Sequence, residues 1–220
     1  MAGRVLVDDQ PVDKAGTQVD SEAPIRLKGE DLAYVSRGGL KLAKALETFQ
    51  VTVTGRKALD VGASTGGFTD CLLQSGASKV FAVDVGYGQL AWKLRDDTRV
   101  VNLERTNIRH LTADQLDDVP DFAVIDASFI SLEKVLPATI ALLQPASDII
   151  ALIKPQFEVG KGQVGKKGVV RDPEQHVQVV EKIKLLAENA GCQVVGLCES
   201  PLLGPKGNRE FLIHLRLGRS

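Results

Sequence analysis

The sequence contains few of the features that mark a membrane protein, a disulfide-rich secreted protein or a zinc protein. Its 220 residues include only three cysteines, Cys71, Cys192 and Cys198, and their spacing is not the paired spacing of a zinc site. No apolar run reaches the roughly 18 to 20 residues of a membrane span, and the first residues lack the basic-then-apolar pattern of a signal peptide. We therefore predict a cytoplasmic protein with reduced cysteines and without a metal site.

An excess of charge of either sign is also absent. The chain carries 27 basic and 28 acidic residues, so its formal net charge of −1 does not indicate a polyanionic partner. Contact with a nucleic acid would require a local basic patch. The contents of hydrophobic residues, 44%, and of charged residues, 25%, are typical of a globular protein, and the length favours one principal domain with a small appendage.

The N-terminal segment contains short strand-like runs separated by turns. Val5–Val7, Gly16–Val19 and Ile25–Leu27 are the candidate strands, and the residues from Asp8 to Pro11 have the composition of a turn. A segment of this length cannot bury a core by itself. We predict a small N-terminal β appendage.

The remainder of the chain alternates between strand patterns and helix patterns. An amphipathic helix is expected from Gly39, because Leu40, Ala43, Leu46 and Phe49 fall on one face. The strands expected after it are Ala58–Val61, Lys79–Val83, Arg99–Leu103, Phe122–Ile125 and Ile149–Ile153, with helices near 67–75, 88–95, 131–143 and 173–190. This alternation predicts a parallel sheet that is covered on both faces.

The last two strands depart from that alternation. Gln193–Cys198 and Phe211–Leu217 are separated only by a loop, which predicts an antiparallel pair. The expected fold class is therefore α/β: a Rossmann-like αβα sandwich of the methyltransferase type, mostly parallel with an antiparallel last strand. The dinucleotide-binding fold, in contrast, has a wholly parallel sheet.

A glycine-rich turn follows the first parallel strand and opens a helix. Its spacing is G-x-x-x-G-G, with Gly62 and Gly66 expected beneath a nucleoside. Asp60, at the end of the strand, could accept a hydrogen bond from the amino group of a methionine. The sequence therefore suggests S-adenosylmethionine as a ligand.

Two further residues complete the expected binding site for this ligand. Asp84 ends the second strand, where an acid binds ribose hydroxyls, and Asn107 follows the third strand, where an amide could contact the adenine amino group. The residues predicted to bind the methyl donor are Asp60, Gly62, Ala63, Ser64, Gly66, Gly67, Phe68, Asp84 and Asn107.

Two other interpretations of the glycine-rich turn remain. A dinucleotide site shares the turn and the later acid, but it has G-x-G-x-x-G spacing, and Asp60 would repel a pyrophosphate. The glycines could also serve close packing alone. An acid beside the turn fits a cationic methionine better.

Two charged residues lie just beyond the carboxyl ends of strands, where catalytic groups collect in open α/β sheets. Asp126 follows Phe122–Ile125 and Lys154 follows Ile149–Ile153. Methyl transfer to a hydroxyl needs a group that draws away the proton and aims the lone pair, and Lys154 could act as that base or as a positioner. For an arbitrary lysine, a solvated position at a strand end is the simpler interpretation.

Several motifs in order along the chain resemble the haemolysin-A (TlyA) family of ribosomal-RNA 2′-O-methyltransferases, whose catalytic domain is similar to the FtsJ-type enzymes. These motifs are residues 34–41 (YVSRGGLK), 60–69, 84–90 (DVGYGQL), 126–132 (DASFISL), 154–161 (KPQFEVGK) and 204–210 (GPKGNRE). The resemblance implies a catalytic tetrad of Lys41, Asp126, Lys154 and Glu210. Without it, Lys41 would be assigned to the exposed face of a helix and Glu210 to the surface of an edge strand.

The resemblance also implies a domain division and a partner. Members of the family carry a small N-terminal RNA-binding domain, and residues 1–28 match only its closing β part, so we expect a remnant of that domain over residues 1–30, followed by a methyltransferase domain over residues 31–220. The expected partner is ribosomal RNA or a ribosomal subunit. Candidate RNA-binding residues are Arg37 and, in the glycine-rich segment 155–171, Lys161, Lys166, Lys167 and Arg171.

Three alternative functions are weighed against this one. A methyltransferase for another acceptor, such as a base nitrogen, would need an aromatic clamp, for which Phe129 and Phe157 are placed after the right strands. A non-catalytic RNA-binding or ribosome-assembly factor would not need the tetrad. A lytic protein, which the family's historical name suggests, would need a membrane-inserting segment, and none is evident in the sequence.

Overall fold

The structure is a computed structural model that describes residues 5–12, 16–27, 33–160, 164–165 and 168–218. The chain divides into two compact units, Met1–Ala33 and Tyr34–Ser220.

The N-terminal unit contains a small antiparallel sheet. Its strands are β1 (Val5–Val7), β2 (Gln10–Pro11) and β3 (Ile25–Leu27), with β1 in the centre. Asp8 and Asp9 join β1 to β2 with φ of 49° and 64°, the backbone conformation of a two-residue hairpin turn that aspartate tolerates.

The strand expected at Gly16–Val19 is wrong, because these residues form a turn followed by irregular chain. Three of the four are glycine or polar, and Val19 is 43% exposed. The run therefore has no apolar face that a sheet could bury, and the alternation of its residues carries no information about pairing.

The larger unit is a seven-stranded sheet with helices on both faces. Its strands are β4 (Lys57–Val61), β5 (Lys79–Val83), β6 (Val100–Leu103), β7 (Phe122–Ile125), β8 (Asp148–Ile153), β9 (Cys192–Glu199) and β10 (Phe211–Leu217). Its helices are α1 (Gly38–Phe49), α2 (Gly67–Gln74), α3 (Trp92–Arg95), α4 (Leu132–Ile140), α5 (Pro155–Glu158) and α6 (Pro173–Asn189).

The strand order is β6-β5-β4-β7-β8-β10-β9. The first five strands are parallel, and β10 is antiparallel to both of its neighbours, β8 and β9. The predicted fold class is confirmed, including the antiparallel last strand.

The sheet is apolar on both faces because helices cover both. Every residue of β7 and β8 is buried, as expected for central strands of a covered sheet. Leu59 and Ile125 pack on one face in a cluster with Leu136 of α4 and Ile183 of α6. On the other face, Leu42 of α1 and Leu72 of α2 belong to a cluster with Ala58, Val80 and Phe122. Because the strands from β4 to β8 are parallel, their carboxyl ends lie along one edge of the sheet.

One predicted helix is much shorter than expected. Residues 88–95 were expected to be helical, but only Trp92–Arg95 form a helix. The preceding residues form a loop that is held by a distant side chain, since Glu104 Oε1 accepts hydrogen bonds from Gln89 N at 3.0 Å and from Arg95 Nη2 at 2.5 Å. Periodicity cannot report such long-range contacts.

Within the part of the chain that the structure describes, no helix combines the length and the apolar character needed to cross a membrane.

Candidate active site

Two neighbouring cavities open where the parallel strands end. The larger has a volume of about 770 Å³ and lies beside the N-terminal end of α1 and the loops that follow β7 and β8. The smaller, of about 440 Å³, lies between the loops that follow β4, β5, β6 and β7. Both are lined by Gly62, Ser64, Asp126, Ser128 and Phe129. A ligand in the smaller cavity can therefore present a reactive group to a ligand in the larger one.

Lys41 and Glu210 meet in the wall of the larger cavity, although 169 residues separate them. Lys41 Nζ donates to Glu210 Oε2 at 2.6 Å, and the two side chains are 12% and 0% exposed. Glu210 fits only because residue 204 is glycine, since a Cβ there would lie 1.9 Å from Glu210 Oε1. Neither residue has the surface position that helix or strand patterning alone would assign to it.

Lys154 and Asp126 form a second ion pair in the same cavity. They follow β8 and β7, which are adjacent parallel strands, so the fold brings their side chains together. Lys154 Nζ lies 2.5 Å from Asp126 Oδ1 and donates to Ser128 Oγ at 2.8 Å and to the carbonyl oxygen of Asp126 at 3.3 Å. The Lys154 side chain is 8% exposed. A solvated lysine at a strand end is thereby excluded.

The four residues of the implied tetrad thus line one cavity as two pairs of opposite charge. A buried ammonium or carboxylate without a partner would carry a large desolvation penalty, and each pair offsets that penalty locally. The tetrad therefore carries no net charge, while Arg37 and Lys206, which also line the larger cavity, add positive charge.

Gly62 begins the glycine-rich turn and lines both cavities. Its φ is 90°, and a Cβ at this position would lie 2.8 Å from the backbone oxygen of Asp126. No other residue can therefore stand here without displacing the loop that carries Asp126.

The remaining residues of the turn divide between the cavity and the core. Ala63, Ser64, Gly67 and Phe68 line the larger cavity. Gly66 is not among the residues that line the two cavities, and its position beneath a ligand stays a prediction. A Cβ on Gly66, whose φ is 97°, would lie 2.2 Å from Leu94 Cδ1, so this glycine allows close packing at the start of α2.

Asp60 is fully buried at the end of β4. Its Oδ2 accepts a hydrogen bond from Thr69 Oγ1 at 2.6 Å, whereas its Oδ1 has no hydrogen-bond partner among the described residues. Burial raises the pKa of Asp60 to about 7; the hydrogen bond from Thr69 opposes the rise and the negative charge of Asp126 adds to it. A buried carboxylate oxygen without a donor is suited to a cationic or hydrogen-bonding ligand group.

Asp84 and Asn107 both line the smaller cavity. Asp84 accepts hydrogen bonds from the backbone N–H groups of Ser64 and Gly86, each at 2.7 Å. Asn107 Oδ1 caps a short 3₁₀ helix by accepting from Arg109 N at 3.1 Å. A ligand contact by Asn107 would therefore use its Nδ2 group as a donor, rather than the oxygen that an adenine amino group requires.

The candidate RNA-binding residues are less completely placed. Arg37 is exposed at the mouth of the larger cavity, and Arg171 is exposed before α6, outside the described lining of both cavities. Lys161, Lys166 and Lys167 lie outside the described residues.

Sequence reasoning did not identify Ser128, Lys206 or Asn208, all of which line the larger cavity. Asn208 is 2% exposed and joins two loops, accepting from Val170 N and donating to the carbonyl of Gly168, each at 3.0 Å. These residues lie inside the motifs that carry the resemblance, and that was the available signal for them.

Comparison with known proteins places these features in a family. Residues 34–217 match the family model described as FtsJ-like methyltransferase. The 16S/23S rRNA (cytidine-2′-O)-methyltransferase TlyA of Mycobacterium tuberculosis is 51% identical over 216 residues, which cover 98% of this chain and 81% of that protein. Hemolysin A of Brachyspira hyodysenteriae is 40% identical over 215 residues, covering 97% of this chain and 89% of that protein.

Solved structures agree with this assignment. A protein from Streptococcus thermophilus superimposes with a TM-score of 0.86 at 47% identity, covering 100% of this chain and 81% of that one. A SAM-dependent methyltransferase from Aquifex aeolicus gives a TM-score of 0.57 at 22% identity, over 83% of this chain and 94% of that one, and supports the fold alone. The resemblance to the haemolysin-A family is confirmed, and the chain belongs to the FtsJ-like methyltransferase family.

Proposed function

We propose that this protein transfers a methyl group from S-adenosylmethionine to a ribose 2′-hydroxyl of ribosomal RNA. The observation that carries the proposal is the joint placement of Lys41, Asp126, Lys154 and Glu210 in one cavity, directly beside a second cavity suited to the donor. The name of the Mycobacterium tuberculosis relative, a 16S/23S rRNA (cytidine-2′-O)-methyltransferase, supports the same reaction and substrate.

The residues around the smaller cavity fit the donor. Asp84 uses each carboxylate oxygen once, and each can accept a further hydrogen bond from a ribose hydroxyl. Asn107 Nδ2 is available to a ring nitrogen of adenine. Asp60 is fully buried and is not among the residues that line the cavities; its unpaired Oδ1 would favour a cationic methionine part near the turn and would repel the pyrophosphate of a dinucleotide. When bound, S-adenosylmethionine supplies a methyl carbon made electrophilic by the sulfonium.

The larger cavity supplies the groups that the acceptor needs. In the transfer, the bond between O2′ and the methyl carbon would form as the bond from carbon to sulfur breaks, and the proton of O2′ would pass to the carboxylate of Asp126, which lines both cavities. Lys154 lines the larger cavity and contacts Asp126 and Ser128 of the wall shared by both, so it can direct the hydroxyl toward the donor while Asp126 holds its ammonium in place. The pair Lys41–Glu210 adds a second cation and a second anion, so the four residues together carry no net charge.

An aromatic pair at the cavity mouth supports a nucleotide as the acceptor. The rings of Phe129 and Phe157 have centroids 5.1 Å apart, and Phe129 is 90% exposed with a φ of 63°. An exposed ring held in an unfavourable backbone conformation is suited to stacking on a base. The same observation favours the second candidate function, methylation of a base nitrogen.

We propose that the RNA backbone is bound by Arg37, Arg171 and the basic residues of the segment 155–171, and that residues 1–30 contribute to this binding while residues 31–220 form the catalytic domain. Phosphate contacts of this kind weaken as salt concentration rises.

The test is product analysis. The full chain is incubated with ribosomal subunits and S-adenosylmethionine carrying a labelled methyl group, and the RNA is digested to nucleosides and analysed by mass spectrometry. We expect the label in a 2′-O-methylnucleoside, and its loss with Lys154→Ala. Label in a base would establish the second candidate, and donor binding without transfer to either subunit would refute the enzymatic proposal.

A further inference from the structure

We infer that Ser128 is a positioning residue that holds the Lys154 ammonium at the boundary between the two cavities until the acceptor hydroxyl takes its place. This inference rests on the proposed function. It concerns how the attacking hydroxyl is recognised.

The three hydrogens of the Lys154 ammonium have three acceptors around them. Ser128 Oγ at 2.8 Å and the carbonyl oxygen of Asp126 at 3.3 Å accept hydrogen bonds from it, and Asp126 Oδ1 lies 2.5 Å away in an ion pair. An ammonium has three donors and no acceptor, so three oxygens already surround its donors. A substrate hydroxyl that approaches Lys154 therefore competes with these oxygens.

Ser128 is the acceptor that can be replaced. The carboxylate of Asp126 is held to Lys154 by the attraction of opposite charges, which a neutral acceptor lacks. The carbonyl of Asp126 belongs to the backbone beside Gly62 and cannot withdraw. Ser128 Oγ is a neutral hydroxyl, so its exchange for the hydroxyl of a ribose replaces one bond with another of the same chemical type.

Ser128 also stands where the exchange must occur. It is exposed, and it lines both cavities, so an atom bound next to it faces the donor side and the acceptor side at once. Lys154 lines only the larger of the two cavities. The hydrogen bond to Ser128 thus draws the ammonium toward the shared wall.

The loop that carries Ser128 is fixed on its far side. Glu158 is 6% exposed and accepts hydrogen bonds from Ser131 Oγ at 2.6 Å and from Leu132 N at 2.8 Å. These bonds tie the start of α4, next to the Ser128 loop, to the turn that follows Lys154. The backbone segments that carry Ser128 and Lys154 are therefore fixed relative to each other. The hydrogen bond between the two side chains is supported by this anchoring, which a serine in an unanchored surface loop would lack.

The experiment compares three variants of the full chain with the wild type. Ser128→Ala removes the acceptor and Ser128→Thr retains it. Ser78→Ala is the matched control, because Ser78 is likewise an exposed serine with a hydrogen-bonded hydroxyl, which donates to the carbonyl of Gly55 at 2.8 Å, but it precedes β5 at the opposite edge of the sheet.

Two readouts are needed. In steady-state methyl transfer, we expect Ser128→Ala to lower kcat at least about tenfold while the Kd of S-adenosylmethionine stays within about twofold, and Ser128→Thr to restore most of kcat. In NMR of lysine-labelled protein without RNA, the Nζ hydrogens of Lys154 should exchange with solvent several-fold faster in Ser128→Ala than in Ser78→Ala. A merely structural role would change neither quantity selectively.

The outcomes separate the two proposals. Unchanged kcat and unchanged exchange in Ser128→Ala would overturn the role of Ser128 while leaving the methyltransferase proposal intact. A wild-type protein that transfers no methyl group would refute the proposed function, and the exchange measurement would still decide whether Ser128 holds Lys154.

Discussion

Asp60 lowers the stability of the folded state, but its carboxylate can contribute to the binding of a cationic ligand. Its pKa is raised to about 7, mainly by burial, whereas the pKa of an aspartate in an unfolded chain is about 4. Between these two pH values, the folded state therefore binds the proton of Asp60 more tightly than the unfolded state does. Asp60 lowers the free energy of unfolding progressively as pH rises from about 4 to about 7. An ionised Asp60 at neutral pH is a strained arrangement that a cationic ligand would relieve.

Replacing Asp60 by asparagine separates its effect on folding stability from its effect on ligand binding. We expect Asp60→Asn to raise the free energy of unfolding at pH 8 by on the order of 1 to 3 kcal/mol, and by less at pH 5, because asparagine mimics the protonated acid. The same variant should bind S-adenosylmethionine at least about tenfold more weakly at pH 8. Denaturant titration and calorimetry measure the two quantities, with the exposed Asp114→Asn as control. A variant that is less stable than wild type at pH 8 would contradict this account.

At the scale of elements, the sequence predicts what local pattern encodes. The five parallel strands and the antiparallel pair follow from apolar runs and loop lengths. Asp126 and Lys154 could be placed because residues that follow neighbouring parallel strands must meet. Lys41 and Glu210 could not be placed by pattern, since their contact depends on the packing of α1 beside the start of β10. Only the resemblance to a family pointed to them.

The loop that follows β5 is another feature that local sequence pattern does not predict, because a distant side chain holds it. It also provides a test. Glu104, after β6, accepts from Gln89 N at 3.0 Å and pairs with Arg95 at 2.5 Å, and the hydrogen bond from Arg95 lowers the pKa of Glu104 to about 2. This loop contains Val85 and Gln89 of the smaller cavity. A change at Glu104 should therefore affect the donor more than the chemical step.

We expect Glu104→Gln to raise KM for S-adenosylmethionine by about three- to tenfold and to leave kcat within about twofold, since the variant loosens the donor loop alone. Because Glu104 stays ionised far below neutral pH, the ratio to wild type should be the same at pH 6 and pH 8. The control is Glu47→Gln, which removes an exposed ion pair with Lys44 on α1. A fall in kcat at saturating donor would show that the loop acts in the chemical step.

Across the larger unit, the charged cluster that stabilises the sheet lies at the amino ends of the parallel strands. The charged groups that line the cavities lie at the carboxyl ends. Asp148 begins β8, and its carboxylate accepts from Arg56 Nη1 at 2.7 Å, from His214 Nε2 at 2.9 Å and from Arg216 Nε at 3.0 Å. Lys154 follows the other end of the same strand. Burial alone would raise the pKa of Asp148, but the hydrogen bonds from His214 and Arg56 hold it well below its usual value.

This separation predicts different consequences for two similar substitutions. Asp148→Asn removes a charged partner of Arg216 and of Arg56, which keeps its ion pair with Asp121, and should cost roughly 2 to 4 kcal/mol of unfolding free energy at pH 7. The deficit should shrink as pH falls below about 4, because the unfolded wild-type chain then binds a proton at Asp148 that the folded state does not bind. The donor affinity of Asp148→Asn should stay within about twofold of wild type below the unfolding transition.

Asp126→Asn acts at the other edge of the sheet. It leaves the amino-end cluster intact and removes the anion that pairs with the buried Lys154 ammonium, so we expect some loss of unfolding free energy and, in the folded variant, a loss of methyl transfer of at least about a hundredfold. Both variants are measured by denaturant titration and by transfer at saturating donor, at a temperature where each is folded. A loss of methyl transfer in folded Asp148→Asn would mean that the two edges of the sheet do not act independently, since distant sites that share no partner contribute additively.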